Sequence, residues 1–166
     1  MTDLQITIQH EVPGDTAAIE NLHDRAFGPG RYARTAERLR EAAPHDLRLS
    51  FVARVATLLV GSVRLTPIRV GDHPALLLGP LAVEPAFTSR GIGRALIERA
   101  TKDAAALGYN LVLLVGDEPY YARVGFRRVP PGQMVMPGPV DPARVLVWAA
   151  DPERCKSIRG QVRAAA

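Results

Sequence analysis

Apolar and polar positions alternate from Leu4 to Val12, with Leu4, Ile6 and Ile8 on one side. That period of two predicts an edge or half-buried strand. Pro13-Gly14-Asp15 is a turn with Asp15 placed to cap a helix, and from Asp15 to Phe27 the spacing becomes helical, with Ile19, Leu22 and Ala26 on one face. Gly28-Pro29-Gly30 ends that helix, and Arg31 to Ala43 reads as a second, more exposed one. Two runs rich in Val, Leu and Ile follow, Leu49 to Leu59 and Gly61 to Val70, and both read as strands. After the turn Gly71-Asp72-His73-Pro74, the unbroken apolar run Ala75 to Val83 predicts a central strand. Gly91 to Leu107 is the strongest helix signal. Ile92, Ala95, Leu96, Ala100, Ala104 and Leu107 form its core face, Arg94, Glu98 and Lys102 its solvent face, and Gly108 its end.

The rest of the chain is shorter in rhythm. Leu111 to Val115 predicts a buried strand, Glu118 to Val124 a short helix or turn closed by Gly125, and Phe126 to Val129 and Val145 to Ala149 the last strands. Pro130-Pro131-Gly132 and Pro137-Gly138-Pro139 make the stretch between them loop-rich. Asp151 to Ala166 is polar with an alanine tail, read as a short helix that frays. Helices mixed with strands and no linker or repeat predict one α/β (α+β) domain over residues 1–166.

Composition narrows the partners. A chain of 166 residues, 47% hydrophobic, is expected to bury roughly 70% of its unfolded surface, enough for a core and a cleft. No apolar run is long enough to span a bilayer, and the first residues lack the pattern of a secretory signal, so no membrane partner is expected. Cys155 is the single cysteine, which points to a reducing cytoplasm. The net charge of +4 is spread along the chain with only 5% aromatics, so nucleic acid is not an expected partner. His10, His23, His45 and His73 lack metal-ligand spacing and read as surface or turn residues, with no metal expected. Neither Ser62 nor Cys155 sits in a nucleophile motif.

The turn between the central strand and the strongest helix carries the chemistry. A helix start offers backbone N–H groups without intrahelical partners and the positive end of the dipole. Gly91 and Gly93 would let an anion reach that backbone. A glycine pair also serves simple strand–helix packing. The dinucleotide motif fails at Leu96, and a P-loop fails because no Gly-Lys-Ser/Thr follows.

Leu78-Gly79-Pro80-Leu81-Ala82-Val83-Glu84-Pro85 followed by Arg90-Gly91-Ile92-Gly93-Arg94-Ala95-Leu96 resembles the acetyl-CoA signature of the GNAT N-acetyltransferase superfamily. Leu113-Leu114-Val115-Gly116-Asp117 and Tyr120-Tyr121-Ala122-Arg123-Val124-Gly125-Phe126 resemble its second signature, Tyr-x-x-x-Gly-Phe. Together they look most like the YhbS-like branch, over about residues 50 to 130. The resemblance implies a mixed, mostly antiparallel central sheet, splayed at the strand before the Arg-Gly-Ile-Gly loop and flanked by helices. Pantetheine of acetyl-CoA would pair with the backbone of Leu81, Ala82 and Val83, with Gly79-Pro80 forming a bulge. The diphosphate would sit on the N–H groups of Ser89, Arg90, Gly91, Ile92, Gly93, Arg94 and Ala95. Thr88 stands where the family pattern has Gln or Arg, so Arg90 or Arg94 is left to supply the charge.

The implied reaction moves an acetyl group from acetyl-CoA to a primary amine, of a small molecule or of a protein, by direct attack in a ternary complex. Keeping an alkyl amine of pKa ~10.4 neutral near pH 7 costs roughly 4–5 kcal/mol. A base or water relay is therefore expected, with Glu84, Asp117 and Glu118 as candidates against the alternative of solvated surface carboxylates. A backbone N–H near Val83 would serve the oxyanion. Tyr121 aligns with the family tyrosine that protonates the departing thiolate, and Tyr120 reads as a packed core residue. The acceptor would be bound by Phe27 to Ala43 and the loop after Phe126, where Arg31, Arg34 and Arg38 either meet an acidic acceptor or form a solvated face. Dimers are common in the family, which makes a homodimer compatible. The alternative is a non-catalytic acyl-CoA-binding module, and the retained Tyr121 favours the enzyme.

Overall fold

The apolar stretch from Leu58 to Val83 doubles back on itself as two long strands, β3 (Leu58–Val70) and β4 (His73–Val83). They turn at Gly71, whose φ of 59° suits glycine. The computed structural model describes residues 5–27, 39–41 and 43–165. On one edge β3 pairs with β2 (Phe51–Val55), which pairs in turn with β1 (Ile6–His10), both antiparallel. On the other edge it pairs with β4 from Val70↔His73 to Gly61↔Val83. β5 (Leu111–Val115) runs parallel to β4, and β8 (Val145–Ala149) and β6 (Arg127–Arg128) extend the sheet antiparallel beyond it. The sheet is mixed and mostly antiparallel, as expected.

Alternate residues of the central strands feed opposite cores. Leu76, Leu78, Val112 and Leu114 pack with Ile92, Leu96, Ile97, Ala100 and Ala104 of α2 (Ile92–Ala106). Burial of Ile92, Leu96 and Ile97 contributes about 1.5–3 kcal/mol each. On the other face Leu77, Leu111 and Leu113 pack with Leu39 and Val162, while Val52, Leu59 and Ala82 meet Ile19 and Leu22 of α1 (Thr16–Phe27).

Several sequence expectations change. Leu49 to Leu59 is not one strand: Leu47–Leu49 is a 3-10 turn capped by the Asp46 side chain, and a bend at Ala56 (φ 54°) separates β2 from β3. Leu107 is 47% exposed rather than in the core. Tyr109 N–H bonds Ala104 C=O and Gly108 N–H bonds Ala105 C=O, a glycine cap that turns the chain off the helix one residue before Leu107. The tail does not fray. After the short helix Pro152–Cys155, β9 (Gly160–Ala164) pairs with Ile68–Val70 on the β3 edge that β2 leaves, and Val162 is buried. β7 (Met134–Val135), inside the expected loop, runs parallel to β9. His23 is buried in α1, and His45 meets the buried Glu11, so neither is a simple surface histidine. Most of the expected second helix, with Arg31, Arg34 and Arg38, lies outside the described residues. Residues 39–41 are helical.

Candidate functional site

The sheet opens where β4 and β5 part. They pair only at Leu76↔Val112 and Leu77↔Leu113. Directly after, β4 bulges: Val63 opposes Leu81 and Leu65 opposes Leu78, so Gly79 and Pro80 together face Arg64. Gly79 has φ 135°, a conformation that favours glycine, and the Gly79–Pro80 peptide is cis. Beyond the bulge Leu81, Ala82 and Val83 pair with β3 on one edge only. Their other edge has no strand partner among the described residues, and an open edge is a template for an extended ligand.

That edge leads into the turn. A 3-10 turn spans Pro85–Phe87, and the Thr88 hydroxyl donates to Pro85 C=O at 3.1 Å, so Thr88 holds the loop rather than a charge. Ser89 (φ 64°) and Gly91 (φ 78°) are both left-handed and bracket Arg90. The first helical bond of α2 runs from Ala95 N–H to Gly91 C=O at 3.0 Å. Ala95 therefore drops out of the expected cradle, and Ile92, Gly93 and Arg94 keep the N–H groups without a helical acceptor. Arg94 is ion-paired with Glu98 at 2.7 Å on the solvent face. Arg90 stacks over Phe87 at 5.6 Å and makes no ion pair among the described residues, which leaves it as the cation of the turn. A side chain at Gly93 would collide with the Tyr120 hydroxyl and touch Val83 and Leu81. A bare open edge, three free N–H groups, one cation and a missing Cβ fit an extended thiol arm ending in a diphosphate.

Tyr121 closes the short helix α3 (Glu118–Tyr121). Its ring fills the space a Cβ on Gly116 would take and meets Phe126 edge-on at 6.0 Å. Tyr120 is 46% exposed, stacks edge-on against Tyr121 at 4.9 Å and sends its hydroxyl to Gly93, so it is not a core residue. Burial pushes its hydroxyl pKa up, with the charge of Arg123 opposing.

All three candidate carboxylates are engaged by arginines. Glu84 Oε2 accepts from Arg25 Nε at 2.9 Å and pairs with its Nη2 at 2.7 Å, tying α1 to the end of β4. Asp117 pairs with Arg144 at 2.9 Å and Glu118 with Arg128 at 3.4 Å. Glu84, expected as base or relay, is held in an ion pair with Arg25. Cys155 is partly buried, and burial pushes its thiol up, away from the reactive thiolate. No group of three His, Cys, Asp or Glu among the described residues could hold a metal ion, and no helix among them is long and apolar enough to cross a membrane.

One residue escaped the sequence reading. Arg40 Nη1 lies 3.0 Å from where a Cβ on Gly79 would stand, at the bulge itself. No motif marks it, because the contact joins the helical residues 39–41 to a strand far along the chain.

A family model described as an acetyltransferase (GNAT) domain matches residues 46–128. The chain is 30% identical over 130 residues to the uncharacterized N-acetyltransferase YjhQ of Escherichia coli K12, which covers 76% of this chain and 72% of that protein. It is 30% identical over 122 residues to the uncharacterized N-acetyltransferase YhbS of the same strain, covering 72% of each. Among solved structures, E. coli YhbS in complex with CoA has a TM-score of 0.83 at 23% identity, over 99% of this chain and 92% of that one. A GNAT family acetyltransferase from Brucella melitensis in complex with acetyl-CoA has a TM-score of 0.72 at 26% identity, over 99% and 98%.

Proposed function

The chain belongs to the GNAT acetyltransferase family, and from that premise we propose that it transfers an acetyl group from acetyl-CoA to a primary amine by direct attack in a ternary complex. The observation that carries this reading is the open edge of Leu81–Val83 running without a break into the free N–H groups of Ile92, Gly93 and Arg94. Acetyl-CoA supplies an activated thioester, and the residues supply the rest. Leu81, Ala82 and Val83 align the thiol arm as an added strand would. The turn from Ser89 to Arg94 takes the diphosphate, with Arg90 adding charge. A backbone N–H near Val83 receives the developing oxyanion. Tyr121 gives its proton to the departing sulfur, and the proton that the attacking nitrogen loses leaves through water to Glu84 as base or relay. Glu84, held by Arg25, fixes α1 against the end of the donor strand. The single, partly buried thiol Cys155 suits a reducing cytoplasm.

Mixing the protein with acetyl-CoA and a panel of amines, and following thiol release and the acetylated amine by mass spectrometry, tests the reaction. Release above the hydrolysis rate with at least one amine is the expected result. Thermal stabilisation by acetyl-CoA with no release across the panel would favour a non-catalytic binding module instead.

The cradle has its own test. Gly93→Ala places a methyl where the Tyr120 hydroxyl and the ligand must lie, while alanine is a good helix residue. The variant is expected to keep its melting temperature and to bind CoA about tenfold more weakly, roughly 1.4 kcal/mol, by isothermal titration. Unchanged affinity would move the diphosphate away from this turn.

A further inference from the structure

We propose that a cavity at the hairpin end of the sheet, lined by Arg48, His73 and Arg154, is a second ligand site, and that it takes a small carboxylate with an apolar body.

The cavity lies at the far ends of the two elements that build the donor site. His73 and Pro74 open β4, whose other end is the Leu81–Val83 edge. Leu107, Gly108 and Tyr109 follow α2, whose other end is the glycine turn. The 15 residues of α2 put about 22 Å between its two ends. The cavity holds about 350 Å³, enough for a small metabolite. Pro74, Leu107 and Tyr109 give it apolar wall, and the outward turn of Leu107 at the helix cap supplies part of that wall.

The rest of the lining is basic, and among the described residues no carboxylate lines it. Arg154 makes no ion pair and no side-chain hydrogen bond among the described residues. Arg48 is already neutralised by Asp46, which accepts from its Nε at 3.1 Å and its Nη2 at 2.8 Å. Burial and the charge of Arg154 push the His73 pKa down, so His73 is neutral at pH 7. One cation in excess matches a monoanion, which favours a carboxylate over a phosphate dianion. The carboxylates next in sequence to His73 and Arg154 have basic neighbours of their own: Asp72 lies 3.6 Å from Arg163, and Glu153 lies 3.0 Å from Lys156. The N–H groups of Leu107, Gly108 and Tyr109 bond the Asp103, Ala104 and Ala105 carbonyls, which would otherwise turn the negative end of α2 on an anion.

The test uses hexanoate, 3-phenylpropionate and indole-3-acetate, each beside its carboxamide, with phenyl phosphate as a further arm, on CoA-saturated protein by ligand-observed NMR. Wild type is expected to bind at least one acid about tenfold more tightly than its amide. Arg154→Gln alters an exposed side chain. It is expected to keep the melting temperature and the CoA affinity and to erase the preference for the acid, with Arg154→Lys restoring part of it. The bound carboxylate favours the imidazolium, so the His73 pKa, followed on its ring protons, is expected to rise when the acid is added and not with the amide. Acid binding should correspondingly tighten as pH falls from 7 through that pKa. Binding of none of the acids, equal binding of acid and amide, an acid preference that survives Arg154→Gln, or displacement of the acid by CoA each overturns the proposal. Phenyl phosphate binding more tightly than every acid would overturn the carboxylate assignment.

Discussion

Tyr121→Phe is expected to lower kcat for acetyl transfer about 100-fold and to leave the affinity for acetyl-CoA unchanged. The substitution keeps the ring, and the ring is what packs against Gly116 and Phe126. The fold should therefore survive, and the difference reports on the hydroxyl. Full transfer of a tyrosine proton (pKa ~10) to a thiolate (pKa ~8.5) is uphill by roughly 2 kcal/mol. The benefit must come while the carbon–sulfur bond is breaking and charge is growing on sulfur, so it falls on kcat rather than on binding. Thiol release under saturating substrates, set beside a calorimetric Kd, separates the two. Tyr120→Phe is the informative control. Its hydroxyl lies over Gly93 at the start of α2, so its loss should register in CoA affinity. If Tyr121→Phe turns over as wild type does and Tyr120→Phe does not, the acid is the other tyrosine.

What could be read from the chain was whatever depends on neighbours in sequence. β4, the glycine turn and α2 are contiguous, and their hydrophobic rhythm and two glycines specify them together. The bulge at Gly79-Pro80 was legible for the same reason, because proline has no N–H to give a ladder. The parts that were not legible are long-range pairings. β9 reads as a polar tail because five residues of alternation mean little until the free edge of Ile68–Val70 is known to lie beside them. Leu107 fits the apolar face of α2 by spacing and is thrown outward by the cap at Gly108. The candidate bases look alike as surface carboxylates, and only the fold brings Arg25, Arg144 and Arg128 to them. Arg40 carries no local signal at all. Its meaning depends on a missing side chain in a distant strand.

Glu11→Gln is expected to destabilise the protein by about 3–5 kcal/mol near neutral pH. Glu11 follows β1 and is buried. Its two oxygens accept from Arg64 Nε at 3.0 Å and Nη2 at 3.1 Å, and His45 Nε2 lies 2.9 Å from Oε2. Arg64 also approaches Glu20 of α1 at 3.7 Å. Removing the buried Glu11 charge leaves the Arg64 guanidinium without its close counter-charge. Burial alone would raise the Glu11 pKa, but the hydrogen bonds from His45 and Arg64 and their charges outweigh it, and the net direction is down from 4.5. A depressed carboxylate stabilises the fold above its unfolded pKa, and that contribution disappears as pH falls through the folded value. The gap between wild type and Glu11→Gln in urea unfolding should therefore be full at pH 7 and shrink on acidification below about pH 4.5. A gap that does not change with pH would mean the loss is one of packing. The effect reaches the site as well. Arg64 is the β3 residue that faces both Gly79 and Pro80, so the cluster that holds Arg64 also backs the bulge at which the sheet opens. At temperatures where Glu11→Gln is still folded, it should raise KM for the acceptor more than it changes binding of CoA at the distant helix start.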